Sequence, residues 1–118
     1  MEAKYGVLAE MLGASPYIRV LEFFLTNDWF DVSKSHVAAA TEVSRATVDS
    51  IWEDLISENL IVKTRTVGRA ELYQLNKQNP ATKILQGFQL ELASMYADQE
   101  EARIKQKITV KKQKAKPR

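Results

Sequence analysis

The 118-residue chain has no cysteine. That absence removes a disulfide framework, a thiolate metal site and a redox switch, and it suits a cytoplasmic protein. The single histidine, His36, has no second imidazole or thiol with which to share a metal, so no metal centre is expected. Its ring reads either as solvent-exposed or as a donor to phosphate. No apolar run approaches the length of a membrane span. The N-terminus lacks the basic flank and apolar core of a signal peptide. There is no glycine-rich phosphate loop, and no acid pair or Ser/His/Asp set is spaced for catalysis. Neither an enzyme nor a cofactor is expected.

What is present suffices for one domain with an apolar core: 45% of residues are hydrophobic. The net charge of +2 hides an asymmetry. Eight of the 17 basic residues lie from Arg103 onward, where there is no acid. The other nine face all fifteen acidic residues in 1–102, a net of −6. A basic end on an acidic body either attracts phosphate nonspecifically or keeps a disordered terminus soluble.

Along the chain, residues 5–12 suit a short helix ending at Gly13. Ser15 then reads as an N-cap, with Pro16 at the first helical position, where a missing N–H costs nothing. Ile18, Leu21, Phe24 and Leu25 recur at helical spacing up to Asn27-Asp28, and a loop follows from Trp29 to Ser33. Ser33 or Ser35 can cap a second helix reaching Thr41. A third, after Ser44, carries the stripe Val48, Ile51, Trp52, Leu55 and Ile56 up to about Glu58. Both tryptophans read as packing residues. Asn59 suits a left-handed helix end. Residues 60–65 and 70–75 alternate as strands, with Thr66-Val67-Gly68-Arg69 as the tip and Gly68 free to take positive φ. Asn79-Pro80 is another cap plus first-position proline. From there Ala81, Leu85, Phe88, Leu92, Met95, Gln99 and Ala102 form a heptad-like seam on a helix of about 28 residues, roughly 42 Å long. Beyond Lys107 the periodicity stops and the tail reads as disordered. The expected division is thus 1–78, a long helix over 79–107, and a basic tail over 108–118.

The stretch from Ser35 to Asn76 meets the demands of a helix-turn-helix followed by a β-hairpin. Ala38 is small where two helices would cross, Val43 can plug the turn, and Val48 and Ile51 can anchor the second helix. Glu42 stands where such turns usually carry glycine, at a cost of about 1 kcal/mol if the backbone there is left-handed. Residues 15–76 resemble the winged helix-turn-helix regulators of the arsenic-repressor and multiple-antibiotic-repressor type. Leu12-Gly13-Ala14-Ser15-Pro16-Tyr17-Ile18-Arg19-Val20-Leu21 is similar to the first core helix of arsenic-repressor-like domains. Gly68-Arg69-Ala70-Glu71-Leu72-Tyr73-Gln74-Leu75-Asn76, with Asn79-Pro80, is similar to their wing and exit. The resemblance implies a mainly α fold with a small β-hairpin wing and a long C-terminal dimerisation helix. It also implies a dimeric DNA-binding transcriptional regulator. The cysteine metal sensors of that group are absent here, so metal sensing is not implied.

Helical phase and composition then nominate the residues. Ala46 and Ser50, on the outward side of the third helix with Glu53 and Ser57, and Thr47 and Asp49, which flank it, lie at the helix start and are candidate base readers. Ser44 and the N–H groups after it can hold a phosphate. Arg45 suits a phosphate contact, and Ser35, near the start of the bracing helix, is a further candidate DNA contact. Lys63, Arg65, Gly68 and Arg69 make a basic wing suited to backbone or minor groove, or simply an edge kept soluble by charge. Asp49, Glu53 and Asp54 argue the other way, because they repel phosphate. Leu85, Phe88, Leu92 and Met95 are the candidate dimerisation residues. The expected partners are double-stranded DNA and a second copy of the chain, with no membrane. The alternatives are a winged-helix adaptor subunit that meets protein, or a replication or segregation factor of a mobile element.

Overall fold

The computed structural model describes residues 5–115, with side chains up to residue 109. Helix α1 spans Val7–Leu12 and α2 spans Pro16–Thr26, where Ser15 Oγ accepts from the Ile18 N–H at 3.2 Å. The α2 face Val20, Leu21, Phe24 and Leu25 is buried. One carboxylate ties these two helices together. Glu22 of α2, 2% exposed, accepts from the N–H groups of Leu8 at 2.9 Å and Ala9 at 3.0 Å, satisfying donors that the start of α1 leaves open. Gly6 makes this approach possible: its φ is 121°, and a Cβ there would lie 2.3 Å from the Glu22 carboxyl carbon.

Helix α3 spans Lys34–Thr41, and α4 spans Arg45–Ser57. Ser33, not Ser35, caps α3. Glu42 adopts φ 59°, ψ 34°, so the turn does use a left-handed non-glycine residue. Val48, Ile51, Trp52 and Leu55 of α4 join the core, but Ile56 does not. It is 40% exposed and lies along the groove toward the hairpin rather than under it.

Strands β1 (Ile61–Val67) and β2 (Ala70–Leu75) pair antiparallel from Ile61↔Leu75 to Val67↔Ala70. The pairing slips between Lys63 and Arg65, leaving Thr64 as a bulge. The strand runs two residues further than its alternation suggests, and only Gly68-Arg69 remains as the tip. Gly68 has φ 61°. The segment before α3 is not plain loop. Val32 and Tyr73 exchange two backbone hydrogen bonds of 2.8 Å, so this segment forms a one-residue third strand against β2.

Helix α5 runs from Pro80 to Ala115, 36 residues or about 54 Å, in a molecule with a longest extent of 72 Å. Asn79 Oδ1 accepts from the Ala81 N–H, as the cap requires. The helix continues past Lys107, where the fading periodicity predicts disorder. From Ala102 to Ala115 there is neither glycine nor proline, and Lys, Gln and Ala are good helix formers. Loss of hydrophobic periodicity removes the signal of a core, not helix propensity. Lys105 pairs with Glu101 at 3.3 Å across one turn. Residues 116–118 of the expected tail lie outside the described residues.

The expected seam of α5 splits. Leu92 is 6% exposed and belongs to the chain's own core, and Leu85 and Tyr96 pack against that core. Phe88, 43% exposed, and Met95 stay outside with Ile84. Leu85 and Phe88 differ by about 60° around a straight helix, enough to place one on the body and the other off it. Polar contacts hold the same junction: Gln86 donates to the Leu25 carbonyl and to Asp28, and Gln89 donates to Glu22 and Thr26.

Candidate nucleic-acid interface

The corner between α3 and α4 is closed as its sequence demands. Val43 is buried beneath it, and its N–H donates to the Ala38 carbonyl at 3.3 Å. Ser44 Oγ accepts from the Thr47 N–H at 3.3 Å and lies 2.9 Å from Thr47 Oγ1. Its side chain is therefore already engaged in the cap. The N–H groups of Arg45 and Ala46 remain at the tip of α4, where the helix dipole favours an anion.

Arg45, Asp49, Lys34 and Ser35 form one connected set. Arg45 donates to Ser35 Oγ at 2.9 Å and to Asp49 at 3.3 Å, and Lys34 Nζ lies 3.3 Å from the same carboxylate oxygen. Hydrogen bonding from Lys34, with a smaller contribution from Arg45, holds the Asp49 carboxyl below the usual carboxylate range. Asp49 thus acts as a clasp between α3 and α4 rather than as a free outward group. Arg45 and Ser35 are held at the flank. Sequence reasoning assigns Arg45 to phosphate and Asp49 to base reading, so it misses their i, i+4 pairing although the spacing permits it, and Lys34, fifteen residues from Asp49, carries no local signal.

Ala46, Ser50 and Glu53 are exposed in one row of α4, opposite buried Val48, Ile51 and Leu55, while Thr47 is half-buried beside them. Trp52 is core, its ring centroid 5.2 Å from Phe24 and 5.4 Å from Tyr73 of β2, which seats the wing on α4. Trp29 is not a packing residue in the same sense. It is 72% exposed, with one side against Phe30 at 4.4 Å. His36 is exposed and lies near the Phe23 and Phe30 rings.

The wing's three cations are not equivalent. Lys63 sits 3.7 Å from Glu71 across the hairpin. Arg65 makes a two-pronged contact with Asp31, at 3.0 and 3.3 Å, and Thr64 at the bulge donates to the same carboxylate. These bonds lower the Asp31 pKa, that from Arg65 most, and bind the wing to the segment before α3. Arg69, at the tip beside Gly68, has no acidic partner among the described residues. With Lys34, Arg45, Glu53 and Tyr73 it lines a groove of about 400 Å³ between α4 and the hairpin. Asp31, Lys34 and Glu53 are the residues here that sequence reasoning did not place among the DNA contacts.

Four helices, the last two meeting in a helix-turn-helix corner, a two-stranded wing and a long C-terminal helix define a winged helix-turn-helix fold. Solved structures share it. MepR, "a transcription regulator of the Staphylococcus aureus multidrug efflux pump MepA", matches with a TM-score of 0.60 at 16% identity, over 93% of this chain and 84% of that one. An apo-form mutant of Lactococcus lactis ZitR matches with a TM-score of 0.58 at 15% identity, over 93% and 89%. Wild-type ZitR in complex with DNA matches with a TM-score of 0.51 at 15% identity, over 82% and 73%. No family model matches the sequence, and no curated protein does. At these identities the likeness is one of fold. Among the described residues, no helix is long and apolar enough to cross a membrane.

Proposed function

We propose that the chain is a sequence-specific double-stranded DNA-binding protein, a homodimeric transcriptional regulator acting in the cytoplasm. The observation that carries this reading is the shared face of α4 and the wing. The outward row Ala46, Ser50 and Glu53 starts at an anion-favouring helix tip, and Arg69, with no acidic partner among the described residues, lies across the same groove. A helix can enter the major groove while a hairpin arginine takes the backbone or the minor groove. The likeness to a ZitR structure that contains DNA supports the same placement. Ser44 contributes through the backbone donors it precedes, Thr47 through its methyl group, and Gly68 by letting the tip turn. Lys63 adds charge. The exposed face of α5 through Ile84, Phe88 and Met95 is the dimer contact. A two-fold axis there sets two α4 helices toward successive major grooves of a near-palindrome.

An adaptor subunit remains the second reading, favoured by exposed Trp29 and by the acidic residues Glu53 and Asp54 on α4. A mobility shift against random genomic fragments at moderate salt separates the two. A regulator retains discrete fragments, and an adaptor retains none even as salt is lowered. A replication or segregation factor would share these DNA contacts and differ only in where its site lies.

A further inference from the structure

We propose that Glu53 is a specificity-determining residue that selects cytosine in the major groove. This rests on α4 being the DNA-reading helix.

The first observation is what α4 lacks. Its thirteen residues include one cation, Arg45, and that side chain is held by Ser35 and Asp49 at the flank. The commonest specific contact, a cation donating to guanine O6 and N7, has no donor on the outward face of this helix. The second is position. Ala46, Ser50 and Glu53 follow each other by four and three residues, within an arc of roughly 60°, opposite the buried stripe. From Ala46 to Glu53 the axis rises about 10 Å, close to three base-pair steps. Of the three, Glu53 alone has a long polar side chain. The next residue of the row, Ser57, donates its hydroxyl to the Asp54 carbonyl at 2.8 Å.

The third observation is electrostatic. A carboxylate approaching phosphate is repelled unless cations stand beside it. Glu53 lines a groove with Lys34 and Arg45, which share Asp49, and with Glu71, which Lys63 pairs; Arg69, with no acidic partner among the described residues, lines it too and is the cation left to offset Glu53. Chemistry then selects the base. A carboxylate only accepts hydrogen bonds. Guanine presents N7 and O6 acceptors in the major groove, and thymine presents O4. Adenine sets its N6 donor beside the N7 acceptor. Cytosine presents the N4 amino donor with no adjacent acceptor of its own. Glu53 therefore fits cytosine, about three steps from the base pair that meets Ala46.

Selected-site sequencing of the full chain, with Glu53→Gln and Glu53→Ala in parallel at one salt concentration, tests this. The parent should enrich a cytosine at one position of each half-site. Glu53→Ala should flatten that column alone, reducing its discrimination by about tenfold. Glu53→Gln should turn the column toward adenine, which a glutamine contacts at N6 and N7 together. Melting temperatures should match the parent because the side chain is exposed. A cytosine column unchanged in both variants overturns the assignment. So does tighter binding to every sequence alike with an unchanged logo, which would make Glu53 a source of backbone repulsion only. If the parent enriches no site, the DNA reading falls and this assignment falls with it.

Discussion

The winged body and helix α5 solve the burial problem differently. In the body the stripes of α2 and, Ile56 apart, α4 lie against other elements of the same chain, and buried Glu22 is satisfied by α1 and α5 together. Helix α5 does this over only one face and part of its length. Leu85, Leu92 and Tyr96 lie against the body, while Ile84, Phe88 and Met95 have no cover. Further on, Ile104 and Ile108 are each 49% exposed. A helix on its own draws little stability from propensity, because nucleation is costly and tertiary packing supplies most of the stabilisation. The core of the body therefore closes within one chain, whereas α5 carries the exposed apolar face that the proposed dimer would cover. Phe88 and Leu92, one turn apart on the same helix, thus differ in what covers them.

The largest expected effect breaks that contrast. Leu92→Ala should destabilise the folded chain by about 2–5 kcal/mol, since it empties a buried site. It should lower the denaturant midpoint at every protein concentration. Phe88→Ala combined with Met95→Ala should do little to the single chain and instead weaken self-association, giving monomer in sedimentation at micromolar concentration. If the Phe88 and Met95 pair leaves the dimer intact, the contact between copies lies elsewhere. If Leu92→Ala changes only association, its burial against the body has been misassigned.

The body was the more legible of the two regions because its signals are local. Ser15-Pro16, Ser44, Asn59 and Asn79-Pro80 each act on backbone groups within a turn, and each falls at an element boundary in the structure. The stripe through Val48, Ile51, Trp52 and Leu55 marked the buried face of α4. What stayed hidden depends on partners far apart in sequence. Nothing near Asp31 announces Arg65, and nothing near Lys34 announces Asp49. Ile56 and the heptad-like seam misled for another reason: a hydrophobic period gives a helical face but not what covers it. The basic tail illustrates the opposite limit, because helix propensity persists where periodicity ends.

A smaller effect should separate the two wing arginines. Arg69 has no acidic partner among the described residues, so its guanidinium is available to DNA. Arg69→Ala should remove about one phosphate interaction per protomer and flatten the line of log affinity against log salt by roughly one unit for each protomer bound. Arg65 is already held by Asp31, so Arg65→Ala should change that slope less. Asp31→Asn sharpens the test by weakening the hold on Arg65. It should steepen the salt dependence if the freed guanidinium reaches phosphate. An equal flattening for Arg65→Ala and Arg69→Ala would show that the Asp31 pair opens on DNA at no cost.

The smallest effect concerns acid, and its sign follows from the direction of the shifts. Asp31 and Asp49 both have lowered pKa values, held down chiefly by hydrogen bonds from Arg65 and Lys34 respectively. An unfolded aspartate titrates near about 3.9. The unfolded chain therefore binds these protons first as pH falls, and the stabilisation from both carboxylates is fully present above that value. It disappears as pH drops through the lower folded values. The wing root and the α3–α4 clasp should thus be unaffected between about pH 5 and 8 and loosen only in strong acid. Because Arg65 and Asp49 are each at least half exposed, screening keeps the effect small, and added salt should shrink it further. Carboxyl carbon shifts followed by NMR should give midpoints below about 3.9 for both residues. Arg65→Ala should bring that of Asp31 back toward the ordinary range and leave Asp49 alone. A midpoint for Asp31 that does not respond to loss of Arg65 would show that the two-pronged pair does not hold the wing in solution.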